Sequence, residues 1–284
     1  MIPVAFDYLK PSTVEDAVAA LADAGDEAKV LAGGQSLLPI LRLRLAAPSL
    51  LVDLDGLGGL RGARIDGSTL VVGAMTTHAE IAGSAAVREA APLLAEAAEL
   101  IGDRQVRHRG TIGGGLAHAD PAGDLPAVLV ALDGECVAAG PGGRRSIPAA
   151  EFFVDYFTTA LQPGEVLVEV RVPRRPGWGA HYEKFHRTAQ TWATVGVAAA
   201  VRRENGSIAE ARVVLTNMGP GPVRAAAVEA ALTGADATAE ALAGAAAHAA
   251  EGTQPTGDLA ASAEYRRHLA RVLSRRALVA AAGR

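Results

Sequence analysis

Two stretches carry residue types that could grip an anion. VLAGGQSLLP occupies residues 30–39, and RGTIGGGLAHADP occupies residues 109–121. Glycine lacks a Cβ, so its backbone enters φ > 0 and successive N–H groups can converge on one point. A helix that starts directly after such a turn adds its partial positive charge. Gly33-Gly34-Gln35-Ser36 meets this description, and Gly113-Gly114-Gly115, beside the Thr111 hydroxyl, meets it again. Two such nests could hold the pyrophosphate of a dinucleotide from two sides. A single Gly-Gly before a helix is more often a tight turn, and local chemistry does not separate the two readings even for the pair.

The other chemistry-bearing residues narrow the classes. No GxGxxG joins a strand to a helix in the first unit; the near miss GLGGLRG, residues 56–62, has Arg61 where the last glycine belongs. The absence of GxxxxGK[ST] argues against a P-loop nucleotidase. Cys136 is the sole cysteine. The chain therefore forms no internal disulfide and cannot by itself supply the roughly four thiolates of an iron–sulfur cluster. The seven histidines show neither HExxH nor zinc-ligand spacing. Redox chemistry would need an organic cofactor or a metal on another chain.

The elements that would position the loops follow from pattern. Residues 12–25 read as a helix with a Ser12/Glu15 capping box, an apolar face of Val14, Ala17, Val18 and Leu21, and a stop at Gly25. A strand over 29–32 then delivers the first turn, and a helix over 37–45 follows it, with Pro39 tolerated in its first turn. Strands are predicted over 50–54, 70–74, 135–139, 166–172, 193–202 and 211–217, and helices over 90–101 and 125–132. Residues 103–123 read as a long glycine-rich segment. PRRPGWG, residues 173–179, is the best linker, and from Val223 the chain is mostly alanine-rich helix. Alternating short strands and helices mean α/β or α+β.

Bulk properties set the frame. The 284 residues suffice for two domains, and half of them are hydrophobic. A net charge of -4 argues against general nucleic-acid binding. No apolar run approaches the roughly 18 residues of a membrane helix, and the start MIPVAFDYLKPST lacks the pattern of a signal peptide. The expectation is a cytoplasmic protein that is not integral to a membrane.

AGGQSLLP followed at this distance by QVRHRGTIGGGLAHADPAGDLP resembles the FAD-binding medium subunit of the molybdenum hydroxylases, and most closely the aerobic carbon monoxide dehydrogenases. FDYLKPSTVEDAVAAL, TTHAEIA, VLVEVRVP, EKFHRTAQTWATVGVAAAV and SAEYRRHLARVLSRRAL extend the likeness over nearly the whole chain. The resemblance implies an α+β fold. Residues 1–174 would form an FAD-binding domain of the vanillyl-alcohol-oxidase-like (PCMH) type, with subdomains 1–58 and 59–174. Residues 175–284 would form a smaller domain with a three-stranded antiparallel sheet and helices. It implies that FAD pyrophosphate rests on Ala32, Gly33, Gly34, Gln35 and Ser36 and on Thr111, Ile112, Gly113, Gly114 and Gly115. Asp124 would bind the ribityl or adenosine side, Leu167 and Lys184 would contact the flavin, and Trp192 would lie near its ring. Relatives usually carry Ser or Asn where this chain has Gly115, and often Asn where it has His108.

The resemblance also implies electron transfer, with no catalytic acid or base on this chain. A small subunit would hold two [2Fe–2S] clusters and a large subunit the molybdenum cofactor, in a dimer of heterotrimers that passes electrons through FAD to a quinone or other acceptor. Association with the inner membrane face would come through that complex. A purine, N-heterocycle or aldehyde hydroxylase is an alternative, because substrate meets the large subunit. A non-redox nucleotide-binding assembly subunit is the alternative from another class, and a free-standing flavin oxidase lacks a candidate base or attachment residue here.

Single residues have competing readings. Lys29 meets phosphate or is solvated. Arg104, Arg107, His108 and Arg109 steer an anion or a partner, or are ordinary loop charges. His118 and Asp120 suggest a dyad, but their loop is expected to hold FAD. His78 fits a helix start and packing, and Cys136 fits a small buried apolar residue. His181 and His186 lack metal spacing. The arginines of the last helix, Arg266, Arg267, Arg271, Arg275 and Arg276, read as a solvated face, with a subunit contact as the sharper alternative.

Overall fold

In the computed structural model, which describes residues 2–284, β1 (Asp7–Leu9), α1 (Val14–Ala24), β2 (Ala28–Leu31), α2 (Leu37–Arg42) and β3 (Leu50–Asp53) form a parallel sheet of order β1-β3-β2 with its connecting helices. Ala17, Val18 and Leu21 are buried on one face of α1, as their spacing requires. Its cap differs from expectation. Thr13 accepts from the Asp16 N–H at 3.0 Å, while the Ser12 hydroxyl bonds the Asp16 side chain, so no Ser12/Glu15 box forms. α2 is shorter than its apolar pattern suggests, because the chain turns out of the helix at Arg44, with φ 57°.

The middle of the chain begins with β4 (Ala63–Asp66) and β5 (Thr69–Gly73). Six helices follow: α3 (His78–Gly83), α4 (Ala85–Ala90), α5 (Pro92–Glu99), α6 (Arg104–Arg109), α7 (Ile112–His118) and α8 (Asp124–Ala131). Then come β6 (Glu135–Gly140), β7 (Gly143–Pro148), the one-turn α9 (Ala149–Phe152), the hairpin of β8 (Phe153–Asp155) and β9 (Thr158–Thr159), and β10 (Val166–Pro173). The antiparallel sheet has the order β4-β5-β10-β6-β7. The helix expected over 90–101 is split, because Pro92 pushes Ala91 out of the helical region, to φ -148° and ψ 67°.

The glycine-rich segment 103–123, for which the pattern predicts no helix, contains α6 and α7. Two caps start them: Asp103 accepts from the Val106 N–H at 2.9 Å, and Thr111 accepts from the Gly114 N–H at 3.1 Å. Three consecutive glycines disfavour a helix by roughly 1 kcal/mol each relative to alanine. Tertiary contact overrides that preference, for reasons visible in the site.

The last part holds β11 (Trp178–Phe185), β12 (Val195–Glu204), β13 (Ser207–Thr216), β14 (Val223–Arg224), α10 (Ala226–Leu232), α11 (Ala239–Ala246) and α12 (Ala263–Ala282). The sheet β11-β12-β13-β14 is antiparallel and has four strands rather than three, since Val223 and Arg224 pair with β13. Strand alternation splits its faces. Val195, Val197, Ala199 and Val201 of β12 pack with α10, α11 and α12, whereas Ala198 and Ala200 pack into the core shared with α5 and α8. The linker is shorter than predicted. Trp178 and Gly179 lie in β11, and the Arg175 guanidinium sits 4.7 Å over the Trp178 ring. Arg266 departs from its expected solvated face. It is 2% exposed, donates to the Thr194 carbonyl, and bonds Asp258 at 2.6 Å.

Candidate functional site

A cavity of about 650 Å3 opens where the three sheets meet, within the size range of small-molecule and cofactor sites. β2 delivers the first glycine turn to its wall. Gly34 has φ 76°, a conformation that an L side chain rarely adopts. A Cβ on Gly33 would overlap the Arg109 carbonyl and lie 2.9 Å from the Gly110 Cα. The two glycine segments therefore touch through backbone. Among the described residues, the N–H groups of Gly33, Gly34, Gln35 and Ser36 donate to no backbone acceptor, and the Ser36 side chain makes no cap bond. This turn is a set of free donors at the head of α2.

The second segment is built differently. The Ile112 N–H donates to the Thr76 carbonyl at 3.0 Å and the Gly113 N–H to the Ala74 carbonyl at 2.8 Å. The Gly114 N–H is taken by the Thr111 hydroxyl and the Gly115 N–H by the Thr111 carbonyl. The expected second nest of free N–H groups is therefore absent, because these donors hold α7 against the end of β5. A Cβ on Gly113 would stand 2.6 Å from the Ala74 Cβ, and one on Gly114 would stand 3.4 Å from the Ala32 Cβ. The glycines let α7 lie flush on the first turn. They make a bare wall, not a donor cluster.

A third wall joins the middle and last sheets. Asp124, at the start of α8, accepts from Lys184 Nζ at 2.8 Å and from the Tyr182 hydroxyl at 2.7 Å, and Lys184 also donates to the Leu100 carbonyl at 3.0 Å. Tyr182 and Lys184 share one face of β11. Both members of the ion pair have side chains 2% exposed. Burial pushes the Asp124 carboxyl up, against the pull of Lys184 and Tyr182. Trp192 is 52% exposed at the cavity edge. The segment that carries it is pinned where Asn217 donates to the Ala193 carbonyl at 2.8 Å and Arg266 to that of Thr194.

Of the residues expected to hold a dinucleotide, Ala32, Gly33, Gly34, Gln35, Ser36, Thr111, Gly113, Gly114, Gly115, Asp124, Leu167, Lys184 and Trp192 all line this cavity, and so does Lys29. Ile112 does not; it points from α7 into the core and is fully buried. Residues that the sequence reading passed over also line it, among them Ile101, Val106, Leu161, Pro163 and Gln190. They sit in ordinary turns and helix ends and carry no local signal.

The charged run before the second segment divides. Arg107 braces the turn by donating to the Ile101 and Gly102 carbonyls at 3.0 and 3.1 Å. His108 and Arg109 line a second pocket of about 330 Å3 that shares Ala32, Gly33, Met75 and Thr111 with the first cavity. His118 Nε2 and Asp120 Oδ2 are 4.0 Å apart, and Asp120 accepts from the Ala122 N–H at 2.8 Å in a turn. Cys136 is buried on β6, and burial pushes its thiol up to about 12. Among the described residues no three metal-binding side chains gather.

Comparison with known proteins decides the family. Residues 4–175 match the FAD binding domain in molybdopterin dehydrogenase, and residues 180–281 match the CO dehydrogenase flavoprotein C-terminal domain. The chain belongs to this flavoprotein family. The carbon monoxide dehydrogenase medium chain of Hydrogenophaga pseudoflava is 44% identical to it over 99% of this chain and 98% of the relative. The 6-hydroxypseudooxynicotine dehydrogenase complex subunit alpha of Paenarthrobacter nicotinovorans is 41% identical over 99% and 96%. A solved carbon monoxide dehydrogenase from Hydrogenophaga pseudoflava, which lacks the Mo-pyranopterin moiety of the molybdenum cofactor, superposes with a TM-score of 0.96 at 46% identity, over 99% of this chain and 98% of that one.

FAD fits the site of this flavoprotein. The free N–H groups of Gly33–Ser36 suit a phosphate. The surfaces at Gly114 and Gly115 allow close approach, and the cavity continues past Lys184 to Trp192. No helix among the described residues is long and apolar enough to cross a membrane.

Proposed function

We propose that this chain is the FAD-binding, electron-transferring subunit of a molybdenum hydroxylase complex of the aerobic carbon monoxide dehydrogenase type. The observation that carries this reading is a single cavity walled by a donor-rich glycine turn and a flush glycine helix, in a chain that matches the flavoprotein family end to end. When bound, FAD supplies the redox centre that relays electrons from [2Fe–2S] clusters on a small subunit, fed by a molybdenum cofactor on a large one, to a quinone or other acceptor. The protein groups bind and orient. Gly33, Gly34, Gln35 and Ser36 take the pyrophosphate, and Thr111, Gly113, Gly114 and Gly115 form the opposing wall. Asp124 and Lys184 fix the cavity floor, and Leu167 and Trp192 bound the flavin end. The FAD-binding unit covers residues 1–174, in parts 1–58 and 59–174, and the C-terminal unit covers residues 175–284.

The assembly in this reading is a dimer of heterotrimers with a small and a large subunit, and exposed apolar side chains support a partner contact. Ile2, Val4, Phe6 and Tyr8 alternate along the N-terminal segment and β1, and all are exposed, as are Leu43 and Leu45 beyond α2. Apolar surface of this kind is what an assembly covers. Any association with the inner membrane face comes through that assembly. A second reading, hydroxylation of an N-heterocycle, draws support from the 41% identity to the pseudooxynicotine enzyme subunit.

The purified protein should be yellow, release FAD on denaturation, and bleach with dithionite. Gly33→Val and Gly114→Val should each abolish FAD retention. A colourless protein that cannot be reconstituted with FAD overturns the proposal, and FAD retained by both variants overturns the loop assignment. Turnover of the isolated complex with carbon monoxide against N-heterocycles separates the two substrate readings.

A further inference from the structure

Helix α6 stands between solvent and the end of the cavity that Lys184 and Trp192 bound. Ile101, Gly102 and Val106 line the cavity on its inner side, while Arg104, His108 and Arg109 are exposed and line no part of it. The segment that carries Trp192 is tied to the same helix, because Gln190 donates to Asp103, the residue that caps α6. Arg187, on that segment, is exposed too and also lies outside the cavity lining. Many other arginines of the chain are paired: Arg88 with Glu99, Arg145 with Glu165 and Arg224 with Glu229, at 2.7 to 2.8 Å. Of the basic side chains on α6, only Arg107 is used within the chain, by the Ile101 and Gly102 carbonyls. Among the described residues, Arg104, His108, Arg109 and Arg187 have neither an ion pair nor a side-chain hydrogen bond.

Folding alone is badly served by this arrangement. Arg104 takes the first position of α6, where the helix dipole disfavours a cation, and the first turn holds no acid to offset it. Arg107 follows three residues on, a like-charge pair along the helix. The pocket at the other end of α6 repeats the imbalance. Its two acids are committed, Asp55 to Arg61 at 2.6 Å and Glu80 to the Thr77 N–H at 2.7 Å, which leaves His108 and Arg109 as its free basic side chains. A recess of about 330 Å3 with these donors suits a carboxylate. The phosphates of bound FAD do not supply the missing anion. Their donors are the N–H groups of Gly33–Ser36, and none of the four free basic side chains lines the cavity.

We propose that α6 and Arg187 form the docking surface for an acidic protein face, that of the partner subunit which delivers electrons to the flavin, with one acidic side chain of that partner seated in the pocket of His108 and Arg109. This rests on the electron-transfer reading above. Docking here puts the partner one helix away from the flavin end of the cavity. In a chain of net charge -4, a local cationic patch also steers the encounter and fixes its orientation.

The test measures the rates at which the full chain associates with and leaves its partner subunits, at low and high salt, together with the FAD content of the assembled complex and thermal unfolding of the chain. Arg104→Glu with Arg187→Glu should slow association at low salt by about tenfold or more and flatten its salt dependence. FAD content should stay at the wild-type level, and the chain should unfold at the same temperature or higher, since a glutamate suits the first turn of α6. Arg104→Gln with Arg187→Gln should give a smaller loss in the same direction. Arg109→Gln should speed dissociation, because it removes the partner of the seated carboxylate. Arg267→Glu with Arg275→Glu, which reverses two charges on α12, should associate as the wild type does. Wild-type association by Arg104→Glu with Arg187→Glu overturns the proposal. So does an equal loss in the α12 variant, which marks a general charge effect, and so does a fall in FAD content, which marks cofactor-binding cations. An unchanged dissociation rate in Arg109→Gln overturns the seat in the pocket. A wild-type complex that takes up no FAD overturns the electron-transfer reading instead.

Discussion

In the first glycine segment the N–H groups of Gly33 through Ser36 find no backbone acceptor, whereas in the second those of Ile112 through Gly115 are all taken. Both segments run into a helix, and in one dimension their glycine runs look alike. The first offers donors to a ligand. The second spends its donors on Ala74, Thr76 and Thr111, and offers only a surface without side chains. The lesson is that a glycine run can serve binding in two ways, through exposed N–H groups or through close packing. Which one applies depends on whether another part of the chain reaches the N–H groups first.

Three measurements would break or sharpen that contrast. The largest effect is expected in the third wall, where Asp124 of the middle region is locked to Lys184 of the last sheet. Lys184→Met leaves the buried Asp124 carboxylate without its cation, and such a loss costs about 3–5 kcal/mol. Chemical denaturation should show it, and Lys184→Met with wild-type stability would mean that the pair locks nothing. Next comes a pair within one helix turn. Gly113→Ala forces a Cβ to 2.7 Å from the Ala74 carbonyl oxygen, and should cost about 1–3 kcal/mol as overpacking. Gly115→Ala meets only ordinary contact, and should gain up to about 1 kcal/mol from helix propensity. Equal effects at the two positions would dissolve the distinction between forced and unforced glycines.

The smallest effect concerns pH, away from both loops. Hydrogen bonding to Glu96 raises the His181 pKa against the pull of burial, and Glu183 adds to it. Glu96 lies on α5 and also accepts from Arg284 at 2.7 Å, so this cluster ties the middle of the chain to its end. A pKa raised in the folded state contributes stability that is complete below the ordinary histidine value of about 6.5 and is lost as pH rises through the folded value. Melting temperature should therefore fall from pH 6 toward pH 8, and His181→Gln should flatten that slope. An unchanged slope in His181→Gln would assign the pH response to other groups.

Much of the fold was legible from pattern. The helix over 125–132 was set by an uninterrupted apolar run and the strand over 166–172 by an apolar run broken only at Glu169 and Arg171, and every residue of α8 is buried. Helix α7 was not legible, since Ile-Gly-Gly-Gly has poor helix propensity and the Ala74 and Thr76 carbonyls that hold its first turn, beside the Thr111 cap, lie far away in sequence. Arg266 was missed for a related reason: its charge suggested solvent, but the partners that bury it, Asp258 and the Thr194 carbonyl, lie on other segments.

The sequence by itself determined the order and spacing of the two glycine segments, the lone cysteine that places any iron–sulfur cluster elsewhere, and the family. These are properties of residue type and distance along the chain. Only the tertiary structure decided which N–H groups stay free, that Ile112 faces the core, and that Lys184 spans to Asp124. Each of these depends on atoms brought together from segments up to about sixty residues apart, and no local pattern encodes who arrives at a hydrogen-bonding group or a bare backbone first.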